Sequence, residues 1–308
     1  MRNIFLKKIL KKTNKNNNIY FLTGDLGFNA FEPFRDRYPE KFINIGVAEN
    51  NMVGVAAGMA LSGKKVFIYS IIPFLVFRSF EQIRNIICHN NLDVKIIGTG
   101  GGFSYGNQGI SHNTTEDFSL MQTLPNMKCF SPGSRSETEF SVDYTLQNNG
   151  PAYVRLGKLT NDINSNISEN YTLGDGIVIK PGGNISLLTT GNISSDVIKV
   201  SKILDNNGFQ SQVISFPTIK PINKKYISDI AKKSSVIITI EEHGLIGGFG
   251  SIIANILLQG KVHKFRFKTI GLRDKVHKEI GDQKFLKELN GLGLNELVTT
   301  IVNFVNAK

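Results

Sequence analysis

Cysteine is scarce. Cys88 and Cys129 are the two in 308 residues, too few for a disulfide framework and without metal-ligand spacing, so both are expected to be buried structural thiols. Long apolar runs are missing too. A membrane span needs roughly 18 uninterrupted apolar residues, and even Val66–Phe77 is interrupted by Ser70 and Pro73. The stretch Met1–Leu10 has lysines but no apolar core followed by a small-residue cleavage site, so no export signal is expected and the cytoplasm is the expected location. Acidic side chains are outnumbered, 25 Asp and Glu against 36 Lys and Arg, leaving a net charge of +11. That excess is dispersed. Lys7, Lys8, Lys11, Lys12 and Lys15 recur at helical spacing, which reads as a solvated helix face and not as a focused nucleic-acid footprint. Neither nucleic acid nor membrane is an expected partner. There is no internal repeat and no low-complexity tract beyond Lys12–Asn18.

What is present is an alternation of β-branched runs with longer amphipathic segments. Ile19–Thr23, Lys65–Ser70, Val94–Thr99 and Ala152–Arg155 are predicted strands; Asn3–Lys12, Asn50–Ser62, Pro73–His89 and Ser134–Gln147 are predicted helices. Between Lys158 and Gly183 the pattern dissolves into Asn, Ser, Gly and Asp, with one strand-like patch at Ile177–Ile179. Alternation then resumes, with strands expected at Ile185–Thr190, Gln210–Ser215, Val236–Glu241 and Lys261–Phe267. Helices are expected at Ser194–Asn206, Asn223–Lys232, Gly248–Leu258 and Leu294–Asn306. The fold class is α/β: two domains, each a mostly parallel sheet flanked by helices, over residues 1–160 and 184–308 with a linker over 161–183.

Chemistry concentrates around Glu49. In Phe42-Ile-Asn-Ile-Gly-Val-Ala-Glu-Asn-Asn-Met-Val-Gly-Val-Ala-Ala-Gly-Met-Ala60 a short strand runs into Gly46, and a helix rich in small residues follows. A carboxylate at that junction is favoured by the helix dipole, so taken alone Glu49 reads as a capping acid. Phe74, Phe77 and Phe80 recur at every third position of one predicted helix, which alone reads as a core stripe. The glycines of the 100–109 loop read as turn chemistry; a glycine-rich loop is weak evidence of a phosphate cradle.

Taken together these segments resemble the transketolase family. Gly46-Val-Ala-Glu49-Asn-Asn is similar to the family's motif bearing the cofactor-activating glutamate. Thr23-Gly-Asp25-Leu-Gly27 resembles its first-strand acidic turn, Pro73 to Arg84 its aromatic helix, and Gly106-Asn-Gln-Gly-Ile-Ser-His112 its substrate loop. Glu241-Glu242-His243, followed by Gly247-Gly248-Phe-Gly-Ser251, is similar to the second domain of split transketolases. The resemblance implies thiamine diphosphate as cofactor, with Glu49 bonded to the far nitrogen of its aminopyrimidine to support proton removal at the reacting carbon. It implies a slot formed by Asp25, Phe74, Phe77 and Phe80, the middle aromatic lying against the ring. Many relatives carry Tyr where Phe80 stands, so the ring amine needs another partner here. For substrate it implies Arg2, His112 and Arg155, with His112 also in a catalytic role, and Gln108 where the family has an aspartate.

Departures from the family matter as much. Gly100 falls where relatives have a second histidine, and Asn29 near a phosphate-contacting serine. The implied sugars are therefore modified ones. The family's Gly-Asp-Gly and later Asn, which hold diphosphate and metal, have no counterpart: Gly24-Asp25-Leu26 does not match, and Gly174-Asp175-Gly176 lacks the Asn. A separate subunit is thus implied to hold the diphosphate with Mg2+ or Ca2+, and the two to form a heterotetramer. The alternatives are a subunit like deoxyxylulose-phosphate synthase or the beta chain of a 2-oxo-acid dehydrogenase, or a relative without catalysis.

Overall fold

A computed structural model describes residues 1–13, 18–27, 29–158, 163, 165, 167–168, 171–262 and 264–307. Its strands in chain order are β1 (Ile19–Thr23), β2 (Phe42–Asn44), β3 (Lys65–Ile71), β4 (Val94–Thr99), β5 (Lys128–Phe130) and β6 (Ala152–Leu156). They are followed by β7 (Ile177–Lys180), β8 (Ile185–Thr189), β9 (Ser211–Ser215), β10 (Thr218–Lys220), β11 (Val236–Gly244) and β12 (Arg266–Leu272).

Alternating side chains along the central strands build the layers. Leu22, Val66, Ile68 and Ile96 pack on one side with Met52 and Val53 of the helix Glu49–Leu61. Their sequence neighbours Phe21, Phe67, Tyr69 and Ile97 pack on the other with Phe5 and Ile9 of the helix Arg2–Thr13 and Val142 of the helix Arg135–Gln147. Covered on both faces, these strands pair in parallel, as two-residue periodicity with apolar residues at both phases demands. The first sheet runs β10-β5-β6-β4-β3-β1-β2, parallel except for β10; the second runs β12-β11-β8-β9-β7, parallel except for β7. The first of these clusters continues into Phe216, Ile237 and Phe249 of the second half, so the two sheets share buried apolar packing.

Several expectations are corrected. Pro73–His89 is not one α-helix: Pro73–Phe77 and Ile83–Cys88 are π-wound around a short α-turn, Phe80–Gln82. Wider turns change which side chains share a face, and apolar periodicity carries no clear signal of them. The patch Ile177–Ile179 lies within β7, an edge strand of the second sheet. The last strand starts at Arg266, not Lys261, its guanidinium donating to the carbonyls of Phe304, Val305 and Ala307 at the end of the final helix. β10 crosses back to the first sheet, which no local pattern announced. Asp175 accepts from the Asn223 side chain at 2.6 Å and serves a turn. Lys15, and positions 159–162, 164, 166, 169 and 170 around the expected linker, lie outside the described residues. Both cysteines are buried and free, and burial pushes the Cys88 thiol up to about 12.

Candidate active site

In the first sheet β1 leads to β2 on one side while β3 leads to β4 on the other, so a crevice opens between β1 and β3 at their carboxyl ends. Gly24, Ser70 and Glu49 meet there. Glu49 opens its helix and is only 3% exposed. Ser70 Oγ donates to Glu49 Oε1 at 2.9 Å, and Arg78 Nη1 lies 3.7 Å from Oε2. A Cβ on Gly24 would stand 3.3 Å from Oε1, so the glycine lets the carboxylate approach the β1 turn. The helix N-terminus and the guanidinium both favour the ionised form. Asp25 is exposed and tied to the neighbouring turn: its backbone N–H donates to Asn44 Oδ1 and its carboxylate accepts from Asn44 Nδ2, each at 2.9 Å.

The three aromatics separate. Phe77 and Phe80 are half-buried against the core beneath the crevice. Phe74 carries the Arg78 guanidinium 4.5 Å from its ring centre and meets the His112 ring edge-on at 5.1 Å. His112 Nδ1 is also 3.0 Å from Ser111 Oγ. Buried carboxylate, hydroxyl donor and aromatic wall together fit a flat heterocycle presenting one hydrogen-bonding nitrogen. Among the described residues no group of three or more His, Cys, Asp or Glu side chains is placed to hold a metal ion.

The other named residues fall in three places. Arg2 and Gly100 line a cavity of about 280 Å3 with Thr99, Ser104, Tyr105 and Lys158. The Tyr105 ring fills the space over Gly100, where a Cβ would lie 2.4 Å from it and where φ is +95°. Gln108 is exposed on the short turn Gly106–Gln108, and Asn29 is exposed beside Glu32. Arg155 is 5% exposed at the domain junction: Nε lies 3.1 Å from Asp117 Oδ2, Nη2 donates to the carbonyls of Thr114 and Glu242, and the guanidinium covers Phe118. Tyr153 also donates to Asp117, at 2.6 Å.

Sequence reasoning missed Ser70, Arg78 and Lys158. The first was signalled by a lone hydroxyl inside an apolar strand, the second by a charge between two phenylalanines, and the third by a lysine just past the end of β6.

Comparison with known proteins gives this geometry its setting. Residues 1–161 match the transketolase pyrimidine binding domain, and residues 174–289 match the transketolase C-terminal domain. One of the two subunits of the apulose-4-phosphate transketolase of Actinobacillus succinogenes is 31% identical over 86% of this chain and 85% of its own. The 6-deoxy-6-sulfo-D-fructose transketolase subunit SqwH of a Clostridium species is 29% identical over 97% and 92%. A solved split-gene transketolase, described as an inactive beta4 tetramer, superposes with a TM-score of 0.87 at 31% identity, covering 99% of this chain and 97% of that one. By domains, by full-length relatives and by fold, the chain belongs to the transketolase family.

Proposed function

We propose that this chain is the pyrimidine-binding subunit of a two-component, thiamine-diphosphate-dependent ketol transferase, active only with a subunit that holds the diphosphate and its Mg2+ or Ca2+. The observation that carries the reading is the buried Glu49 carboxylate, oriented by Ser70 and open toward the Phe74 and Arg78 side of the crevice. When bound, thiamine diphosphate supplies a carbon centre that stabilises the carbanion of ketol transfer. The remaining work falls to this chain. Glu49 holds a proton at the far ring nitrogen; Ser70 fixes the carboxylate, and Gly24 leaves it room. Phe77 and Phe80 wall the ring and exclude water. Phe80 has no hydroxyl, so a backbone carbonyl or the partner subunit has to meet the ring amine.

Sugar binding is assigned to the loop with Gln108 and His112 and to the cavity between Arg2 and Lys158. Two cations at one mouth suit an anionic group on the sugar. Arg155, occupied by Asp117 and two carbonyls, holds the domain junction beneath that loop. Gln108 and Gly100 no longer offer a charged acceptor or an imidazole to particular hydroxyls, which favours a modified sugar over pentose phosphates. Relatives that act on apulose 4-phosphate and on 6-deoxy-6-sulfofructose support that choice. Self-association of the solved beta chain supports a heterotetramer with two copies of each chain.

The test is ketol transfer by the complex reconstituted with the partner, cofactor and Mg2+, comparing xylulose and ribose 5-phosphates with deoxy, branched and sulfonated sugars. Best use of a modified anionic sugar is the expected result. Wide preference for the pentose phosphates would make it an ordinary split transketolase.

A further inference from the structure

Glu241-Glu242-His243 marks the family in the sequence, yet nothing in the ketol-transfer chemistry above uses Glu242. It ends up 2% exposed near the end of β11, with its carboxylate inside the junction between the domains. Oε1 accepts the Phe103 N–H at 2.8 Å and the Gln283 side-chain amide at 2.9 Å; Oε2 accepts the same amide at 3.0 Å and that of Asn192 at 3.3 Å. One acceptor-only group thus joins three segments: the start of the 103–113 loop, the turn after β8 and the start of the helix Gln283–Leu289. A carboxylate takes all these donors at once, and bonds to a charged acceptor are stronger than neutral ones.

The loop it grips is the one bearing Gln108 and His112. Its base is closed by mutual backbone bonds between Gly102 and Thr114 at 2.8 and 2.9 Å. Phe103 is fully buried, edge-on to His277 at 5.4 Å. Gly106 has the second domain so near that a Cβ would lie 2.2 Å from Leu286. At the far end His112 reaches Phe74. A clasp at the base therefore sets where the tip stands over the crevice. Gly102 belongs to it: φ is +65°, and a Cβ there would meet Glu242 Oε1 at 2.4 Å.

The geometry points to Glu242 as a positioning residue for the sugar, fixing through the Phe103 N–H the loop that presents Gln108 and His112. This rests on the ketol-transfer reading. The catalytic carboxylate, Ser70 and the aromatic wall are untouched by it, so the effect falls on the sugar and not on the cofactor.

The experiment uses the reconstituted complex with Glu242→Ala, Glu242→Gln and Gly102→Ala, measuring kcat, the KM of the sugar, the apparent affinity for thiamine diphosphate, and amide exchange over 103–114. Glu242→Ala is expected to raise the sugar KM about tenfold to a hundredfold while cofactor affinity stays within about twofold, because small misplacements of binding groups cost that much. Exchange over 103–114 speeds up. Glu242→Gln keeps an oxygen for the Phe103 N–H and recovers most of the loss, whereas Gly102→Ala resembles Glu242→Ala. Unchanged sugar KM with a lowered melting temperature would overturn the proposal, as would equal losses for sugar and cofactor, or a glutamine no better than alanine. If the wild-type complex transfers no ketol unit, the functional reading fails and amide exchange decides alone: unchanged protection over 103–114 in Glu242→Ala removes the clasp, and faster exchange keeps it.

Discussion

Arg78 Nη1 stands 3.7 Å from Glu49 Oε2 while its guanidinium lies 4.5 Å from the centre of the Phe74 ring. One cation thus covers the outer oxygen of the carboxylate and the aromatic beside it, leaving Oε1 to Ser70. The proton-handling oxygen is the one facing the crevice. Glu49→Gln keeps the shape and the Ser70 bond but cannot take the proton, and turnover is expected to fall about a hundredfold or more. Melting temperature and assembled mass should be unchanged. Turnover near wild type would show that another carboxylate does the work.

Phe74 and Phe77 should fail differently. Phe77 is half-buried against the core, whereas Phe74 lies outside that cluster and touches His112 and Arg78. Phe77→Ala is expected to weaken thiamine diphosphate binding and to cost up to about 3 kcal/mol of stability, the low end for a lost buried ring. Phe74→Ala should mainly raise the sugar KM, by loosening the loop tip. Calorimetry, melting curves and steady-state kinetics on both variants check this, and parallel losses tracking stability alone would return both rings to plain packing.

Arg2 and Lys158 face one cavity. Charged hydrogen bonds are worth roughly 1.5 to 3 kcal/mol each, so Arg2→Ala or Lys158→Ala should raise the KM for an anionic sugar about tenfold to a hundredfold. An uncharged analogue should show little change. Equal effects on both substrates would place the anion elsewhere.

His243 predicts a pH dependence. Its Nδ1–H donates to the Gly244 carbonyl at 2.8 Å and its Nε2 accepts the Phe118 N–H at 3.2 Å, an arrangement for neutral imidazole. Burial holds its pKa below the ordinary 6.5, against the pull of Asp117 at 3.8 Å. The unfolded chain therefore takes the proton first on acidification, and the stability this group contributes above pH 6.5 is lost as pH falls through that value toward the folded one. Between about pH 7.5 and about pH 5.5 the melting temperature of the wild type should fall more than that of His243→Gln. Parallel curves would show that the ring does not titrate differently on folding.

Much of this was legible in the sequence because the signals were local. Ile19–Thr23, Lys65–Ser70 and Val94–Thr99 announce themselves by apolar side chains at both phases, and Glu49 by its place between a strand and a helix of small residues. Contacts that span the chain were not. Nothing near Arg155 says that it will meet Asp117 and the Glu242 carbonyl, and nothing near Thr218–Lys220 says that it will extend the other sheet. The aromatic spacing misled for a related reason: three-residue periodicity assumes α-helical turns, and Pro73–Phe77 is wound more widely.

The most direct measurement is titration calorimetry of thiamine diphosphate with Mg2+ into this chain, into the diphosphate-binding subunit and into their mixture, followed by a ketol-transfer assay of each. Half a cofactor site predicts no micromolar binding to this chain alone, tight binding to the mixture, and activity only there. Micromolar binding or transfer by this chain without a partner would contradict the account.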